Sequence, residues 1–273
     1  MTPEQIERKH QQDLQRLRGF RLMDDDFMTK CFEGEPACIE LVLQIIIEKA
    51  DLKVLDVRTQ VFVENLLERS VRLDILATDA QGAKYNIEIQ RSDKGAGYKR
   101  ACYHSSMIDV NLLEKGESFD RLPETYVIFI TANDVIGEGK PVYRIGRCFL
   151  DSGKIFEDGT HILYVNGAFR GDSPIGRLMH DFACTDPSEM NYNLLADRVR
   201  YFKESKEGVA TMCKVIEDMR REERREATVE YAKRMLDKNK YGVEEVADIF
   251  GLSVDEVEHL KKSSSSGRIG ELS

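Results

Sequence analysis

Two neighbouring segments of the chain alternate between apolar and polar residues with the two-residue period of a β-strand. In residues 71–77 most apolar side chains share one face, while Arg72 and Asp74 lie on the other. In residues 85–90 the same alternation puts Glu88 and Gln90 on one face. Each segment therefore predicts a strand that carries polar side chains on one side.

Residues 78–84 join these strands and are rich in turn-forming residues, so they predict a β-hairpin. Gly82 is suited to the left-handed position of a three-residue loop formed by residues 80–82. With that loop, Asp74 lies directly opposite Glu88. Like charges that face each other across a strand pair are destabilising, so this placement of two carboxylates needs a physical reason.

A bound divalent cation is one such reason. Mg²⁺ prefers oxygen ligands, often one or two carboxylates together with waters and substrate phosphates, and it can activate a water for hydrolysis. Mn²⁺ is the second candidate ion. The alternative is that both carboxylates lie on a solvated sheet face, with the strands paired one or two residues out of this alignment.

Apolar runs predict further core elements. Residues 36–47 form a strongly apolar helical stretch with Glu40 embedded in it. Residues 126–130 form a continuous apolar run of the kind found in a central buried strand. Residues 142–145 and 161–165 predict two more strands joined by turns that contain glycine and aspartate.

The pattern changes after about residue 191. Residues 196–240 predict a charged helical region that contacts solvent or a protein partner. Residues 241–262 resemble a short helix-turn-helix, whose second helix has three acids in residues 255–258. Acids oppose phosphate at the end that would enter a groove, so we expect protein docking or a vestigial role there, not base readout.

The two ends of the chain differ from its middle. Residues 1–19 form a polar, charged N-terminal segment, and the serine-rich residues 263–273 are expected to be disordered. The polar N-terminus is not a secretory signal, and no stretch of eighteen apolar residues predicts a membrane span. We therefore expect a cytoplasmic protein. Its six cysteines lack C-x-x-C spacing and suit buried, reduced thiols.

At 273 residues and 41% hydrophobic, the chain can bury one sizeable domain and an appendage. Its net charge of -9 argues against a protein that coats DNA nonspecifically. It does not exclude a nuclease, which needs only a local cationic groove around an acidic metal centre. The candidate cations for such a groove are Arg91, Lys94, Lys99, Arg100, Arg144, Arg147 and Arg170.

Four segments in this order, residues 69–75, 85–90, 97–103 and 122–131, resemble the recombination-promoting nuclease and transposase-like branch of the PD-(D/E)XK nucleases. The resemblance covers roughly residues 20–195. It implies an α/β fold in which a mixed central sheet is flanked by helices, as in restriction endonucleases, with the helical C-terminal extension added to it. It also implies metal-dependent cleavage of DNA, with Asp74 as the first acid of the motif and Glu88 as the second.

Gln90 falls where the wider superfamily carries a catalytic lysine. A neutral amide can orient water or substrate but supplies no charge, which puts catalysis in doubt. Lys94, Lys99 and Arg100 follow closely and are candidates to contact phosphate.

From residue 98 onward a helix would place Arg100, Tyr103, His104 and Met107 on one face. A surface salt bridge is the alternative for Arg100, and core packing is favoured for Tyr103 over substrate contact.

Another acid could come from a helix that precedes the sheet, as in related nucleases. Glu40 is the candidate for this further metal ligand, although a solvent-facing position on an amphipathic helix is the simpler interpretation. The acidic residues 24–26 indicate a helix cap.

The sequence therefore predicts a Mg²⁺- or Mn²⁺-dependent DNA endonuclease, linked to recombination or transposition. A catalytically silent DNA- or protein-binding module with the same fold is the alternative. A protein partner at the C-terminal helices and a homodimer are both compatible with the sequence.

Overall fold

The computed structural model describes residues 2–64, 70–91, 95–238 and 240–266. It divides the chain into two compact units, Met1–Met212 and Cys213–Ser273. The second unit begins after the predicted boundary near residue 195. Residues 193–204 form a helix that buries Leu195, Val199 and Phe202 and belongs to the first unit.

The first unit contains six complete helices and eight strands among the described residues. The helices are α1 (Pro3–Arg18), α2 (Asp25–Phe32), α3 (Pro36–Ile47), α4 (Tyr98–Val110), α5 (Pro174–Ala183) and α6 (Asn193–Glu204). The strands are β1 (Val54–Val63), β2 (Val71–Asp79), β3 (Lys84–Gln90), β4 (Thr125–Thr131), β5 (Val142–Ile145), β6 (Arg147–Cys148), β7 (Ile155–Phe156) and β8 (Thr160–Asn166). A long helix, α7 (Lys206–Asp237), begins in this unit and continues into the second.

Six of the strands form one mixed sheet in the order β1-β2-β3-β4-β8-β5. Strands β1, β2 and β3 are antiparallel neighbours, whereas β3, β4 and β8 run parallel and β5 closes the edge antiparallel to β8. Helix α4 connects β3 to β4, because a parallel pair needs a crossover connection. The α/β class with a mixed sheet and flanking helices is confirmed.

The hairpin of β2 and β3 has the predicted alignment. Ile75 pairs with Ile87 and Ala77 with Tyr85, which is the pairing that sets Asp74 opposite Glu88. The loop is closed by a bond from the Asp79 N–H to the Ala83 carbonyl. Gly82 has φ of 87°, the left-handed conformation that the three-residue loop requires. The loop chemistry therefore fixes which residues meet at the other end of the strands.

A lysine of α6 forms hydrogen bonds with the backbone at the end of α1. Lys203 Nζ donates to the backbone carbonyls of Arg18, Phe20 and Thr185 at 3.0, 2.6 and 2.5 Å. Burial lowers the pKa of this amine. Two of these bonds satisfy carbonyls at and just beyond the end of α1, where the last carbonyls have no partner within the helix, and the third acceptor, Thr185, follows α5.

The second unit contains the end of α7 together with α8 (Val243–Phe250) and α9 (Val254–Ser266). Leu236 of α7, Val246 of α8 and Val257 of α9 meet in one small core. Gly251 has φ of 64° in the turn, and Ser253 and Glu256 form a capping box at the start of α9. Helices α8 and α9 are thus joined by a short turn at Gly251. Disorder was predicted from residue 263, but α9 continues through Ser266, and residues 267–273 lie outside the described residues.

The six cysteines are all free thiols. Cys31 and Cys38 are buried as expected, but Cys102 and Cys148 are exposed, so the prediction of burial holds for part of the set. Within the described residues, none of the helices has both the length and the apolar character needed to cross a membrane.

Candidate active site

Asp74 and Glu88 meet where β2 and β3 run beyond their paired ends. The backbone N–H of Asp74 donates to Glu88 Oε1 at 3.3 Å, and Asp74 Oδ2 accepts from the N–H of Ile89 at 3.0 Å. Asp74 is 7% exposed and Glu88 is fully buried. The predicted hairpin therefore brings two carboxylates together in a site that is largely closed to solvent.

Burial and the neighbouring charges change the pKa of Asp74. Burial, followed by the negative charges of Glu88 and Asp25, raises the pKa of Asp74 to about 7, while the N–H of Ile89 and the charge of Arg100 oppose that shift. A carboxyl group in this condition is stabilised by a proton or by another cation. The site therefore favours an added positive charge.

Helix α4 supplies two side chains to the same carboxylate. Arg100 Nη2 lies 3.4 Å from Glu88 Oε2, and His104 Nδ1 lies 3.4 Å from Glu88 Oε1. Arg100 and His104 are four residues apart on α4 and so share a face, as the helical spacing predicts. One face of α4 therefore lies against the carboxylate of Glu88.

Gln90 lies at the end of β3, beside β4, and lines the same cavity. Its carboxamide packs closely against Gly95, because a Cβ added to Gly95 would lie 1.7 Å from Gln90 Oε1. Any larger residue at position 95 would push the carboxamide aside. The absence of a side chain at Gly95 therefore sets where the amide lies.

Asp25 is a site residue that the sequence reasoning missed, since residues 24–26 were interpreted as a helix cap. Asp24 does occupy the N-cap of α2, but Asp25 lines the cavity and its charge acts on Asp74. Gln60 on β1 holds it, with Nε2 3.2 Å from Asp25 Oδ1 and 3.0 Å from Thr29 Oγ1. Gln60 has φ of 53°, a strained left-handed conformation for a side chain other than glycine.

Glu40, the acid predicted to come from a helix before the sheet, lies elsewhere. Its Oε1 is 2.7 Å from Lys53 Nζ, and its Oε2 accepts from the N–H of Val54 at the start of β1. This pairing lowers the pKa of Glu40. Glu40 does not line the cavity around Asp74, so the helix that contributes an acid there is α2 and not α3.

Asp74 lines a cavity of about 720 Å³ with cations at its walls, and Glu88 is buried beside it. Lys99 and Arg100, the candidate phosphate contacts, line the cavity together with Tyr103, a further candidate for substrate contact or core packing, and with Arg72, which was not among the predicted site residues. Lys94 lies outside the described residues. The cavity therefore combines acids with exposed basic side chains.

The other predicted cations do not converge on this cavity. Arg91 pairs with Asp24, Arg144 with Glu48, Arg147 with Asp158, and Arg170 donates to the carbonyls of Gly167 and Phe169. The local cationic groove is consequently smaller than the sequence suggested.

The donor set suits a hard divalent cation. Among the described residues there is no preformed cluster of three or more histidine, cysteine, aspartate or glutamate ligands. Mg²⁺ does not require one, because it retains several waters and binds through one or two carboxylates. Asp74 and Glu88 offer such oxygens, and the raised pKa of Asp74 marks the place where positive charge is lacking.

Comparison with family models identifies the domain that carries this site. Residues 31–166 match the model described as PD-(D/E)XK nuclease family transposase. This segment belongs to the PD-(D/E)XK nuclease family. No curated protein and no solved structure gave a significant match to the chain.

The PD-(D/E)XK match includes the hairpin, α4 and the strands through β8. Asp25 precedes it, so the acid from α2 is identified by the geometry alone. The sheet topology and flanking helices agree with the restriction-endonuclease-like fold expected for the PD-(D/E)XK family.

Proposed function

We propose that the protein is a metal-dependent DNA endonuclease that hydrolyses phosphodiester bonds. The observation that carries the proposal is the buried meeting of Asp74 with Glu88 at the end of the hairpin. Two acids in that position, inside a PD-(D/E)XK domain, are suited to hold Mg²⁺ or Mn²⁺. A role in recombination or transposition is proposed with it, since the matching family model describes transposases.

Bound Mg²⁺ or Mn²⁺ would neutralise charge on the phosphate and lower the pKa of a coordinated water. Asp74 and Glu88 would hold the ion through their carboxylate oxygens, and Asp25 would add negative charge from α2. Gln90 would orient the water or the substrate by hydrogen bonds. Asp74, Asp25 and Gln90 line the cavity, and Glu88 is buried in contact with Asp74.

Gln90 is neutral where the wider superfamily has a lysine. A residue of α4 is a candidate to supply the missing positive charge. Arg100 lines the cavity, is 43% exposed at its side chain and lies beside Glu88. A guanidinium can contact two phosphate oxygens at once and remains charged at every physiological pH. Lys99 and Arg72 would contact the DNA backbone farther from the bond that is cleaved.

A plasmid-nicking assay with Mg²⁺ or Mn²⁺ tests the proposal, using isosteric variants that remove charge and retain shape. We expect Asp74→Asn and Glu88→Gln each to reduce the cleavage rate by at least about 10²-fold, by analogy with the loss of one electrostatic contact to a transition state. Added Mn²⁺ should raise the thermal unfolding temperature of the parent but not of Asp74→Asn, because only a bound ligand stabilises the fold.

The Glu40→Gln variant is the matched control, since this acid lies away from the cavity. It should cleave at the parental rate. Cleavage by Asp74→Asn at the parental rate would refute the proposal.

The alternative function, a catalytically silent binding module, rests on the glutamine at position 90. The variant Gln90→Lys distinguishes the two. We expect it to preserve or raise the single-turnover cleavage rate at saturating Mg²⁺, because a cation near the phosphate favours the anionic transition state. A parent that binds DNA without cutting it, together with a Gln90→Lys variant that cuts, would support the silent module.

A further inference from the structure

The imidazole of His104 lies between the two charged groups of the candidate site, and both of its nitrogens are in contact. Nδ1 is 3.4 Å from Glu88 Oε1, and Nε2 is 3.3 Å from Arg100 Nε. Arg100 Nη2 is in turn 3.4 Å from Glu88 Oε2. The three side chains therefore form a closed ring in which each contacts the other two, and His104 at its centre is 3% exposed.

These partners determine which nitrogen of His104 carries the proton. The guanidinium of Arg100 has donors only, so Nε2 accepts and has no proton. In the neutral ring the proton is then on Nδ1, where it faces the carboxylate of Glu88.

The amide of Asn86 lies beside the same nitrogen of His104, and its orientation depends on which tautomer is present. As placed, Asn86 Nδ2 lies 3.5 Å from His104 Nδ1, and the buried Oδ1 of Asn86 has no hydrogen-bond partner among the described residues. With the amide turned by half a rotation, Oδ1 would face Nδ1 and could accept from it. A proton on Nδ1 would thus serve both Glu88 and the orphaned oxygen of Asn86.

The separation of Arg100 from Glu88 indicates what the imidazole does. At 3.4 Å it exceeds the roughly 2.7–2.9 Å of a close charge-assisted hydrogen bond. Without His104, the nearest partner of Arg100 would be Glu88 itself. A close pair between these two would use up the carboxylate needed for a metal and the cation needed for a phosphate.

We propose that His104 is a positioning residue that holds Glu88 through Nδ1–H and Arg100 through Nε2, so that the direct contact of Arg100 with Glu88 stays at 3.4 Å and does not close to a charge-assisted hydrogen bond. This inference rests on the proposed nuclease function for its consequence, but the bridge itself is a property of the metal-free protein. His104 contacts neither substrate nor metal in this role and acts through the two residues that would.

The tautomer can be measured without any activity. Long-range ¹H–¹⁵N spectra of the full chain, labelled at histidine and recorded at about pH 8 where a free imidazole is neutral, distinguish the two forms. The His104→Asn variant assigns the signal. We expect the proton of His104 to be on Nδ1. The ¹⁵N signals of His104 should shift in the Arg100→Ala variant, because Nε2 then loses its donor. A proton on Nε2, alone or with Nδ1, would overturn the inference whether or not the protein cuts DNA.

Two substitutions separate the two contacts of the ring. The amide nitrogen of asparagine reaches the place of Nδ1, whereas the amide oxygen of glutamine reaches the place of Nε2. We expect His104→Asn to retain the donor to Glu88, so its Mn²⁺ affinity by calorimetry should stay near that of the parent while the single-turnover rate falls.

His104→Gln should show the opposite result, with a larger loss of Mn²⁺ affinity than of cleavage rate. It retains the acceptor for Arg100 but loses the donor to Glu88, so its Mn²⁺ affinity should fall roughly 10- to 100-fold, as when an outer partner of a metal ligand is removed. Its rate at saturating Mn²⁺ should stay closer to that of the parent than the rate of His104→Asn does.

Met107→Ala is the matched control, because Met107 is buried on the same face of α4 one turn later and is 6% exposed. It perturbs packing without touching Glu88 or Arg100. If His104 served only in packing, then His104→Asn, His104→Gln and Met107→Ala would lose rate and affinity together, and the inference would be wrong. A parent that neither binds Mn²⁺ nor cuts DNA would refute the proposed function instead, and the tautomer would still decide the bridge.

Discussion

The folded protein disfavours the ionised form of the Asp74 carboxyl group. This carboxyl group is buried, close to Glu88, and subject to the charge of Asp25. A group of this kind destabilises the metal-free fold when it is ionised and becomes favourable once a cation is bound. At this residue, the proposed metal site would be held at a cost in the stability of the metal-free fold.

The pH dependence of stability follows from the pKa of Asp74. The pKa rises from 3.8 to about 7 on folding, so the folded state binds the proton more tightly. The resulting stabilisation is fully present below the unfolded pKa and is lost as the pH rises through about 7.

We therefore expect the metal-free parent to be less stable at about pH 8 than at about pH 5, and Asp74→Asn to show a flatter dependence. At the higher pH this variant should exceed the parent by on the order of 1–3 kcal/mol.

Urea denaturation in the presence of EDTA measures this difference. Asp151→Asn, which changes an exposed carboxylate of the same unit, should follow the parent at both pH values. If the free energy of unfolding of Asp74→Asn changes with pH as much as that of the parent, then Asp74 does not have the raised pKa.

At the scale of elements, the site is assembled by two local structures with different causes. The tight loop at Gly82 sets the strand pairing, and strand pairing carries Asp74 to Glu88. The connection from β3 to α4 then brings Arg100 and His104 back over the carboxylates. Gly95 in that connection leaves the space that the amide of Gln90 occupies.

We expect Gly95→Ala to lower the single-turnover cleavage rate while changing stability by less than about 1 kcal/mol. The added Cβ would meet Gln90 Oε1, the end of a flexible side chain that can move at little cost but then loses its orientation. Gly97→Ala is the matched control, since a Cβ there meets nothing within 4 Å.

The dependence on Gln90 can be checked in a double variant. In a Gln90→Ala background, Gly95→Ala should have no further effect on the rate, because contacting residues are energetically coupled. Additive losses would show that Gly95 acts on the site by another route.

At the scale of the whole molecule, the chain joins a nuclease-family unit to a small helical unit with its own core. The second helix of its helix-turn-helix, α9, begins with Asp255, Glu256 and Glu258. Glu256 is already engaged by Ser253 and by Arg225 of α7. A helix of this charge is poorly suited to phosphate, and we propose that it contacts a protein partner.

We expect deletion of everything after Asp237 to leave the binding of short labelled duplex DNA within a few fold of the full chain at every salt concentration. Acidic residues release no counterions from DNA and add nothing to the salt dependence. As a control in the intact chain, the double substitution Asp255→Ala and Glu258→Ala should not lower DNA affinity. Loss of most affinity on deletion, with a flatter salt dependence, would show that α8 and α9 contact phosphate.

The sequence alone determined the parts of the site that depend on local rules. The two-residue alternation gave β2 and β3, the loop chemistry of residues 80–82 gave their pairing, and helical spacing put Arg100 and His104 on one face. These features depend on residues close together in the sequence, so they can be predicted from the sequence without the tertiary structure.

Only the tertiary structure decided which distant residues join that site. Asp25 had the sequence signature of a helix cap, and Glu40 that of an acid on an apolar helix; their positions depend on how α2 and α3 pack against β1. The dispersed arginines were likewise drawn into separate ion pairs. Burial and charge at Asp74 arise from elements far apart in the chain, because packing, and not local pattern, brings those elements together.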